Sequence, residues 1–148
     1  MRQCARHASA TDRVIVIDSS ALIDALVYPR PNPRLRRRLD GAASLHAPHL
    51  LDLELLHVLR SLVRGGRISP DRADDVRQDV LGLPLVRYPH VGLSDRVWEL
   101  RHNLAAYDAA YIALSEQLDY PLVTADTRIA SAGDNHRATV ELYELNGG

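Results

Sequence analysis

Four carboxylates occupy positions in this sequence where a charge needs an explanation. Asp18 ends the aliphatic run Val14–Ile17, and Asp126 ends the run "PLVT" in the same way. Glu54 and Asp108 lie inside two segments that have helical periodicity. Removing an ionised carboxylate from water costs roughly several kcal/mol unless a partner compensates the charge. These four acids are therefore the first candidates for chemistry.

The helical segments place the other two acids toward buried faces. At about 100° per residue, the segment Leu50–Arg64 sets Glu54 on the border of an apolar stripe formed by Leu51, Leu55, Val58 and Leu62. In "LAAYDAAYIALSEQL", Asp108 falls near the centre of the predicted buried face, beside Leu104 and Ile112. Such a carboxylate needs an arginine, backbone donors or a metal ion as its partner.

The four acids as a set indicate a divalent cation. Each strand-end aspartate alone could be a helix N-cap, and Asp108 alone could form a structural salt bridge. Four carboxylates brought together repel one another unless a cation lies among them. Oxygen ligands without a convincing Cys or His set favour Mg²⁺ or Mn²⁺. Mg²⁺ held by carboxylates and waters is typical of enzymes that act on phosphate esters.

The elements that must position these acids alternate between strand and helix. The pattern predicts five strands, at Val14–Ile17, Ser44–His46, Leu85–Tyr88, Leu122–Thr124 and Thr139–Leu145. Strands separated by helices imply an α/β protein, a three-layer α/β/α sandwich with a mostly parallel sheet. Sites in such sheets form beyond the carboxyl ends of the strands. Asp18 and Asp126 are expected to share one crevice there.

Helix signals lie between these strands. Ser19 or Ser20 is predicted to cap a helix that runs to about Val27. Ser69 and Pro70 predict a cap followed by proline at the first helical position. The predicted helices are a helix to about Val27, "RLRRRLDG", Leu50–Arg64, a helix to about Leu81, Ser94–Arg101 and Ala105–Leu118.

Composition narrows the class of protein. The chain has 148 residues, 46% of them hydrophobic, and a net charge of −1, which neither indicates nor excludes a nucleic-acid partner. Its 18 basic residues are all arginine, so no mechanism can use a catalytic lysine. The single cysteine, Cys4, fits a reducing compartment. We expect a cytoplasmic protein with a flexible N-terminal tail over residues 1–13 and a single domain over residues 14–148.

Four stretches resemble the PIN-domain nucleases, and more narrowly the VapC toxins of toxin–antitoxin pairs. They are "VIVIDSSALIDAL", "HAPHLLDLELLHVLR", "NLAAYDAAYIALSEQL" and "PLVTADTRIA", in that order and spacing. The resemblance implies that Asp18, Glu54, Asp108 and Asp126 form the acidic quartet that holds the metal. It also implies that Thr124 accompanies the last aspartate and that Ser19 or Ser20 supports the first.

The same resemblance implies an activity and partners. The expected reaction is Mg²⁺-dependent hydrolysis of RNA phosphodiester bonds by a metal-activated water, with Mn²⁺ as a substitute ion. Asp18, Asp108 and Asp126 are the expected direct ligands, and Glu54 is a ligand, a water-bridged ligand or a base. A homodimer and an antitoxin that covers the active site are expected partners.

Two weaker signals have structural alternatives. A cluster of arginines around the second predicted helix could contact RNA phosphates, could be a solvated face or could bind an acidic antitoxin segment; it comprises Arg34, Arg36, Arg37 and Arg38. Asn103 could orient a water or a phosphate, or could cap the helix that carries Asp108. Trp98 and Tyr111 are predicted to be packing residues.

Other functions compete with the nuclease hypothesis. A phosphatase that forms an aspartyl-phosphate usually needs a second Asp two residues after the nucleophile, where this chain has Ser20. A signalling receiver would also need a lysine. A catalytically inactive PIN-like binding module is compatible with the motifs, although the presence of all four acids favours the enzyme.

Overall fold

The computed structural model describes residues 10–133 and 135–145 of the chain. It contains five strands: β1 (Val14–Ile17), β2 (Ser44–Pro48), β3 (Leu85–Tyr88), β4 (Leu122–Thr124) and β5 (Val140–Leu142). The helices are α1 (Ser19–Leu26), α2 (Pro33–Asp40), α3 (Leu50–Arg64), α4 (Pro70–Leu81), α5 (Ser94–Glu99), α6 (Ala106–Leu118) and α7 (Thr127–Ala130). Short 3₁₀ turns cover Ala10–Arg13 and Val91–Leu93.

The five strands form one sheet in the order β3-β2-β1-β4-β5, and every neighbouring pair is parallel. The chain moves outward from β1 through β2 to β3, then returns to the other side of β1 to add β4 and β5. The strand order therefore reverses between β1 and β4. In parallel sheets this reversal opens a crevice at the carboxyl ends of the two strands.

Helices cover both faces of the sheet. Right-handed crossovers place α1 to α4 on one face and α5 to α7 on the other. Contacts agree with this arrangement, because α1 touches α2 and α3, α3 touches α4, and α5 packs on α6. The predicted α/β/α sandwich with a parallel sheet of about five strands is confirmed.

The central strand explains why its sequence is continuously apolar. Ile15, Val16 and Ile17 of β1 have no exposed surface, since helices cover the strand on both sides. The buried face of α6 is nearly as complete, with Ile112 and Leu114 also fully enclosed. Burying such side chains stabilises the fold by about 1.5–3 kcal/mol each. The core therefore holds the two elements that carry Asp18 and Asp108 rigidly.

Most predicted bounds are confirmed, and several details were wrong. β1, β3, β4 and α3 have the predicted limits, whereas β5 is shorter than Thr139–Leu145. The prediction that Ser19 or Ser20 caps α1 was wrong, because Asp18 occupies the N-cap and accepts from Ala21 N. Ser69 does cap α4, by accepting from Arg72 N.

The predicted N-terminal tail lies mostly outside the described residues. Of residues 1–13, the structure describes only the 3₁₀ turn Ala10–Arg13, which leads directly into β1. The flexibility of the tail stays a prediction. Among the described helices, none combines the length and the apolar character needed to cross a membrane.

Candidate active site

Two aspartates meet at the strand reversal. Asp18 follows β1 and Asp126 follows Ala125 at the end of β4, and these two strands pair in parallel with Ile17 opposite Val123. Both aspartates occupy helix N-caps, Asp18 for α1 and Asp126 for α7. A strand-end aspartate can be interpreted either as a helix N-cap or as part of a charged site. The two roles are compatible, since one carboxylate can cap a helix and also face the crevice.

The Asp18 carboxylate is buried and bonded on both oxygens. Only 2% of the residue is exposed. Its Oδ1 accepts from Ser20 Oγ at 2.7 Å and from Ala21 N at 3.0 Å, and its Oδ2 accepts from Thr124 Oγ1 at 2.5 Å. Burial raises the pKa of Asp18, although these donors favour the charged form. Among the described residues no cation pairs with it directly.

Two hydroxyls connect the ends of the neighbouring strands. Thr124, which is completely buried, donates to Asp18 and accepts from Asp126 N at 2.9 Å. Ser20 donates to Asp18 and accepts from Ala125 N at 3.0 Å. Each hydroxyl therefore uses both its donor and its acceptor capacity, which fixes the distance between the two strand ends. Ser20 and Thr124 thus contact Asp18, and their supporting role in a metal site stays a prediction.

Asp126 has a different environment. Its Oδ2 accepts from Arg128 Nη2 at 2.7 Å, and its Oδ1 accepts from Arg128 Nε at 3.2 Å and from Arg128 N at 2.8 Å. The Arg128 side chain is 80% exposed, whereas that of Asp126 is 18% exposed. These hydrogen bonds lower the pKa of Asp126. Its charge is therefore compensated inside the protein.

Glu54 reaches the same edge from α3. It is half-buried on the border of the apolar stripe, as its helical position predicts. The Tyr111 hydroxyl donates to Glu54 Oε1 at 2.5 Å, and Ser19 also favours its charged form. Burial nevertheless raises the pKa of Glu54, and the charges of Asp18 and Asp108 raise it further.

Asp108 lies in the first turn of α6 and is half-buried. The prediction that it occupies the centre of a buried face was wrong, because the start of the helix opens toward the crevice while Ala109 to Ser115 are enclosed. Within the described part of the chain, no hydrogen bond or ion pair reaches its carboxylate. Partial burial and the charge of Asp126 raise the pKa of Asp108, and the charge of Arg128 opposes this.

The charges of the four acids affect one another's pKa. The charge of Asp126 raises the pKa of Asp18 and of Asp108, and the charges of Asp18 and Asp108 raise that of Glu54. Burial and these charges therefore raise the pKa of three of the four acids, so their charged forms are less favourable than in water. Such a set lowers its free energy by binding a cation.

The donor chemistry fits a hard divalent ion, although no closed cage is present. Carboxylate and hydroxyl oxygens are the ligands that Mg²⁺ and Mn²⁺ prefer. Across residues 10–133 and 135–145, however, no three acidic, histidine or cysteine side chains already stand in a metal-binding arrangement. Asp126 turns its carboxylate to Arg128. The metal-ligand roles of Asp18, Glu54, Asp108 and Asp126 stay predictions.

The arginine cluster of α2 divides into paired and unpaired side chains. Arg38 is bound to Glu141 at 2.8 Å and to the backbone oxygen of Asp12 at 2.7 Å. Arg36 pairs with Asp40, whereas Arg34 lies over the Tyr143 ring, 6.0 Å from its centroid. Tyr143 N donates to Thr124 O, so Arg34 flanks the carboxyl edge of the sheet. RNA contact by these residues stays a prediction.

Asn103 is exposed and precedes α6, whose N-cap is Ala105 without a side-chain hydrogen bond. The capping interpretation of Asn103 was therefore wrong. Contact of Asn103 with water or phosphate stays a prediction.

The predicted packing role of Trp98 was also wrong, because the side chain is 67% exposed and lies under the Arg101 guanidinium at 4.6 Å.

Two residues of the site were missed. Tyr111 is buried, as predicted for a packing residue, but its hydroxyl also orients Glu54. Its position three residues after Asp108, on the same side of a helix, was the available signal. Arg128 had a weaker signal, namely its place two residues after a strand-end aspartate.

The comparison with family models defines the class of this fold and site. The model of the PIN domain matches residues 15–135, which include all four acids. The chain belongs to the PIN-domain family.

Relatives place it more narrowly. The chain is 43% identical to Ribonuclease VapC9 of Mycobacterium tuberculosis over 120 residues, which cover 81% of this chain and 91% of the relative. By this similarity the chain falls among the VapC ribonucleases of the family.

Solved structures agree on the fold. VapBC2 from Rickettsia felis, bound to a DNA fragment from its promoter, matches with a TM-score of 0.65 at 11% identity, covering 88% of this chain and 99% of that one. VapC20 from M. tuberculosis, a toxin that cleaves the sarcin–ricin loop, matches with a TM-score of 0.58 at 18% identity, covering 80% and 95%. At these identities the likeness concerns the fold alone.

Proposed function

We propose that this chain is an Mg²⁺-dependent endoribonuclease that acts as the toxin of a toxin–antitoxin pair. The observation that carries the proposal is the pair of strand-end aspartates at the sheet reversal, which are linked through Thr124. Glu54 and Asp108 are close enough for the neighbouring carboxylates to raise their pKa. Membership of a ribonuclease family supports RNA as the substrate.

The residues have distinct roles in this proposal. Asp18, Asp108 and Asp126 would hold the ion, and Glu54 would hold it directly or accept a proton from the attacking water. A bound Mg²⁺ supplies charge stabilisation at the phosphate and a more acidic water. Thr124 and Ser20 fix the orientation of Asp18, and Tyr111 fixes that of Glu54. Fixed carboxylates lose little entropy when the ion binds.

The direct test is cleavage of RNA by the purified protein with Mg²⁺, Mn²⁺ or EDTA. Asp108→Asn removes the acid whose carboxylate has no hydrogen-bond or ion-pair partner in the described chain. We expect the cleavage rate to fall by at least about 100-fold, because changes to residues that only hydrogen-bond to a metal ligand already cost 10–100-fold. Asp75→Asn, an exposed acid of α4, is the matched control and should retain activity. Equal cleavage by Asp108→Asn and the parent would exclude the mechanism. A parent that binds RNA but never cleaves it would favour the inactive binding module.

The RNA target requires a separate experiment. Sequence-specific cleavage of RNA depends on loops and unstacked bases rather than on a short protein motif. Sequencing of 5′ ends after brief expression of the chain would locate its cuts. Cuts that cluster in one loop, absent in the Asp108→Asn variant, would identify the substrate as tRNA, rRNA or mRNA.

An antitoxin partner is supported by a groove between α3 and α4. The groove has a volume of about 440 Å³, and its lining combines apolar residues, which include Leu56, Leu59 and Val63, with the charged residues Arg60, Arg64, Asp74 and Arg77. An amphipathic segment with acidic flanks fits this combination. Co-purification with the product of the neighbouring open reading frame, lost in a Leu56→Glu variant that still folds, would support this surface. Unchanged co-purification would exclude it.

Self-association is the second partner proposal. Leu53, Trp98 and Tyr107 expose between 67% and 70% of their surface in the isolated chain. Large apolar side chains mark a protein contact when they share an exposed patch, and Trp98 and Tyr107 belong to the α5–α6 layer whereas Leu53 belongs to α3. Sedimentation equilibrium should give the mass of a homodimer, and a monomer at all concentrations would reject this proposal.

A further inference from the structure

Arg128 places a positive charge within the acidic set itself. Its guanidinium binds both oxygens of Asp126, at 2.7 and 3.2 Å, although four fifths of the side chain is exposed to solvent. The same charge also acts on Asp108, which otherwise has no partner among the described residues. Arg128 thus binds Asp126 and lowers the pKa of Asp108, the two acids that would share a bound cation.

The local backbone explains why this arginine stays in place. Asp126 caps α7, and the N–H that it accepts is that of Arg128 itself, at 2.8 Å. The cap turns the first residues of the helix so that the side chain of Arg128 returns to the capping carboxylate. The contact is therefore set by a short turn and involves no distant element.

We propose that Arg128 is an internal counter-ion of the metal site, which occupies Asp126 in the metal-free protein and is displaced when the divalent ion binds. The inference rests on the proposed function only in that the four acids bind a divalent cation. The guanidinium bonds both oxygens of Asp126, and a divalent ion on the same carboxylate would repel this second positive charge, so the guanidinium and the ion compete. The absence of a closed metal cage among the described residues agrees with such competition.

Displacement gives Arg128 a second role on the substrate. Once released from Asp126, the exposed guanidinium stands beside the crevice and can donate to a phosphate oxygen. No lysine exists in the chain to supply this charge. We therefore expect the contact partner of Arg128 to depend on whether the metal is bound.

The test measures metal binding without RNA. Isothermal titration of the full chain with Mn²⁺ alone should show that Arg128→Ala binds the ion about two- to fivefold more tightly than the parent, the size expected when an exposed ion pair stops competing. Arg128→Lys, which keeps the charge but loses the two-point contact, should fall between them. Arg77→Ala is the matched control, because Arg77 makes a similar exposed contact with Asp74, remote from the quartet in sequence.

A second readout is the melting temperature. In EDTA, Arg128→Ala should melt below the parent, because the acids lose their counter-ion. Saturating Mn²⁺ should raise the melting temperature of the variant more than that of the parent.

A third readout is RNA binding. Arg128→Ala should bind a non-cleavable RNA more weakly than the parent at saturating Mn²⁺.

Each outcome decides the inference. Unchanged or weaker Mn²⁺ binding by Arg128→Ala, or an effect equal to that of Arg77→Ala, would overturn it. A parent that binds Mn²⁺ but cleaves no RNA would reject the proposed function and leave the competition measurable. A parent that cleaves RNA while Arg128→Ala shows parental Mn²⁺ affinity would reject the counter-ion alone.

Discussion

The carboxyl ends of β1 and β4 carry the same residue in opposite environments. Asp18 is buried among hydroxyls and a backbone amide, and its pKa is raised because burial disfavours its charge. Asp126 is open to solvent on one side, and the Arg128 guanidinium lowers its pKa. Both cap a helix, so the contrast does not come from the backbone.

The difference shows how one site can combine a rigidly held carboxylate with a carboxylate whose counter-ion can be replaced. Neutral donors hold Asp18 in position without cancelling its charge, so it still favours an added cation. Arg128 cancels the charge of Asp126 but, being exposed, can leave it at small cost. We infer that the β1 side fixes the geometry of the site and that the β4 side responds to ligands.

The largest expected effect is on catalysis. Asp18→Asn and Asp126→Asn should each lower kcat for RNA cleavage by at least about 100-fold, since changes to residues that only support a ligand already cost 10–100-fold. Initial rates under saturating Mg²⁺ measure this. If Asp126→Asn cleaved RNA at the parental rate, the β4 side would not belong to the metal site.

Thr124 tests the link between the two sides. Thr124→Val keeps the shape but leaves Asp126 N without its acceptor and Asp18 Oδ2 without its donor, so we expect a loss of about 1–3 kcal/mol in unfolding free energy and a 10–100-fold loss of activity. Urea denaturation and cleavage rates are the measurements. Thr124→Ser retains the hydroxyl and should recover most of both; a serine variant as impaired as valine would show that the methyl group matters instead.

The pH dependence of stability should have opposite signs at the two strand ends. The raised pKa of Asp18 means that its contribution to metal-free stability is present below its ordinary value of 3.8 and is lost as the pH rises through the folded pKa. The lowered pKa of Asp126 means that its contribution is present above 3.8 and is lost as the pH falls through the folded pKa.

Melting in EDTA between pH 4.5 and 7.5 isolates the Asp18 contribution, because the Asp126 contribution changes only below 3.8. Asp18→Asn should melt above the parent by about 2–4 °C at pH 7.5, a change on the order of 1 kcal/mol for a chain of this size, and the difference should shrink toward pH 4.5. Asp126→Asn should melt at or slightly below the parent at pH 7.5. The same pH trend for both variants would remove the contrast between the two strand ends.

The smallest effect concerns the approach of RNA. Arg34 flanks the β4 side next to Tyr143, whereas Arg36 is paired with Asp40. Arg34→Ala should weaken binding of a non-cleavable RNA about two- to fivefold and lower the salt slope by about 0.7, the value for one lost phosphate contact with a single strand. Arg36→Ala should change both less. Equal effects would mean that RNA does not distinguish these arginines.

The sequence predicted the positions of the acids better than their surroundings. Asp18 and Asp126 could be placed together because aliphatic runs of strand length mark parallel strands and ligand crevices open at their carboxyl ends. The border position of Glu54 followed from helical periodicity. These features depend on the backbone, which the hydrophobic pattern specifies.

The remaining details depend on side-chain choices that periodicity does not contain. Asp18 and Ser20 are both good N-cap residues, and in the structure Asp18 caps α1 while the Ser20 hydroxyl is engaged by Asp18 and Ala125 N. The half-burial of Asp108 follows from where the crevice opens along α6. The contact between Arg128 and Asp126 requires the short turn of α7, which the sequence pattern did not predict.

The order of the strands also has a consequence for the synthesis of this protein. The Thr124 hydroxyl reaches Asp18 across 106 positions of the chain, and β4 is the fourth strand to be made. A nascent chain therefore carries Asp18 and Glu54 well before Asp126 leaves the ribosome, whereas Asp108 precedes Asp126 by only 18 positions. A translation product that stops before β4 lacks the crevice, so the four acids cannot come together until the β4 segment has left the ribosome.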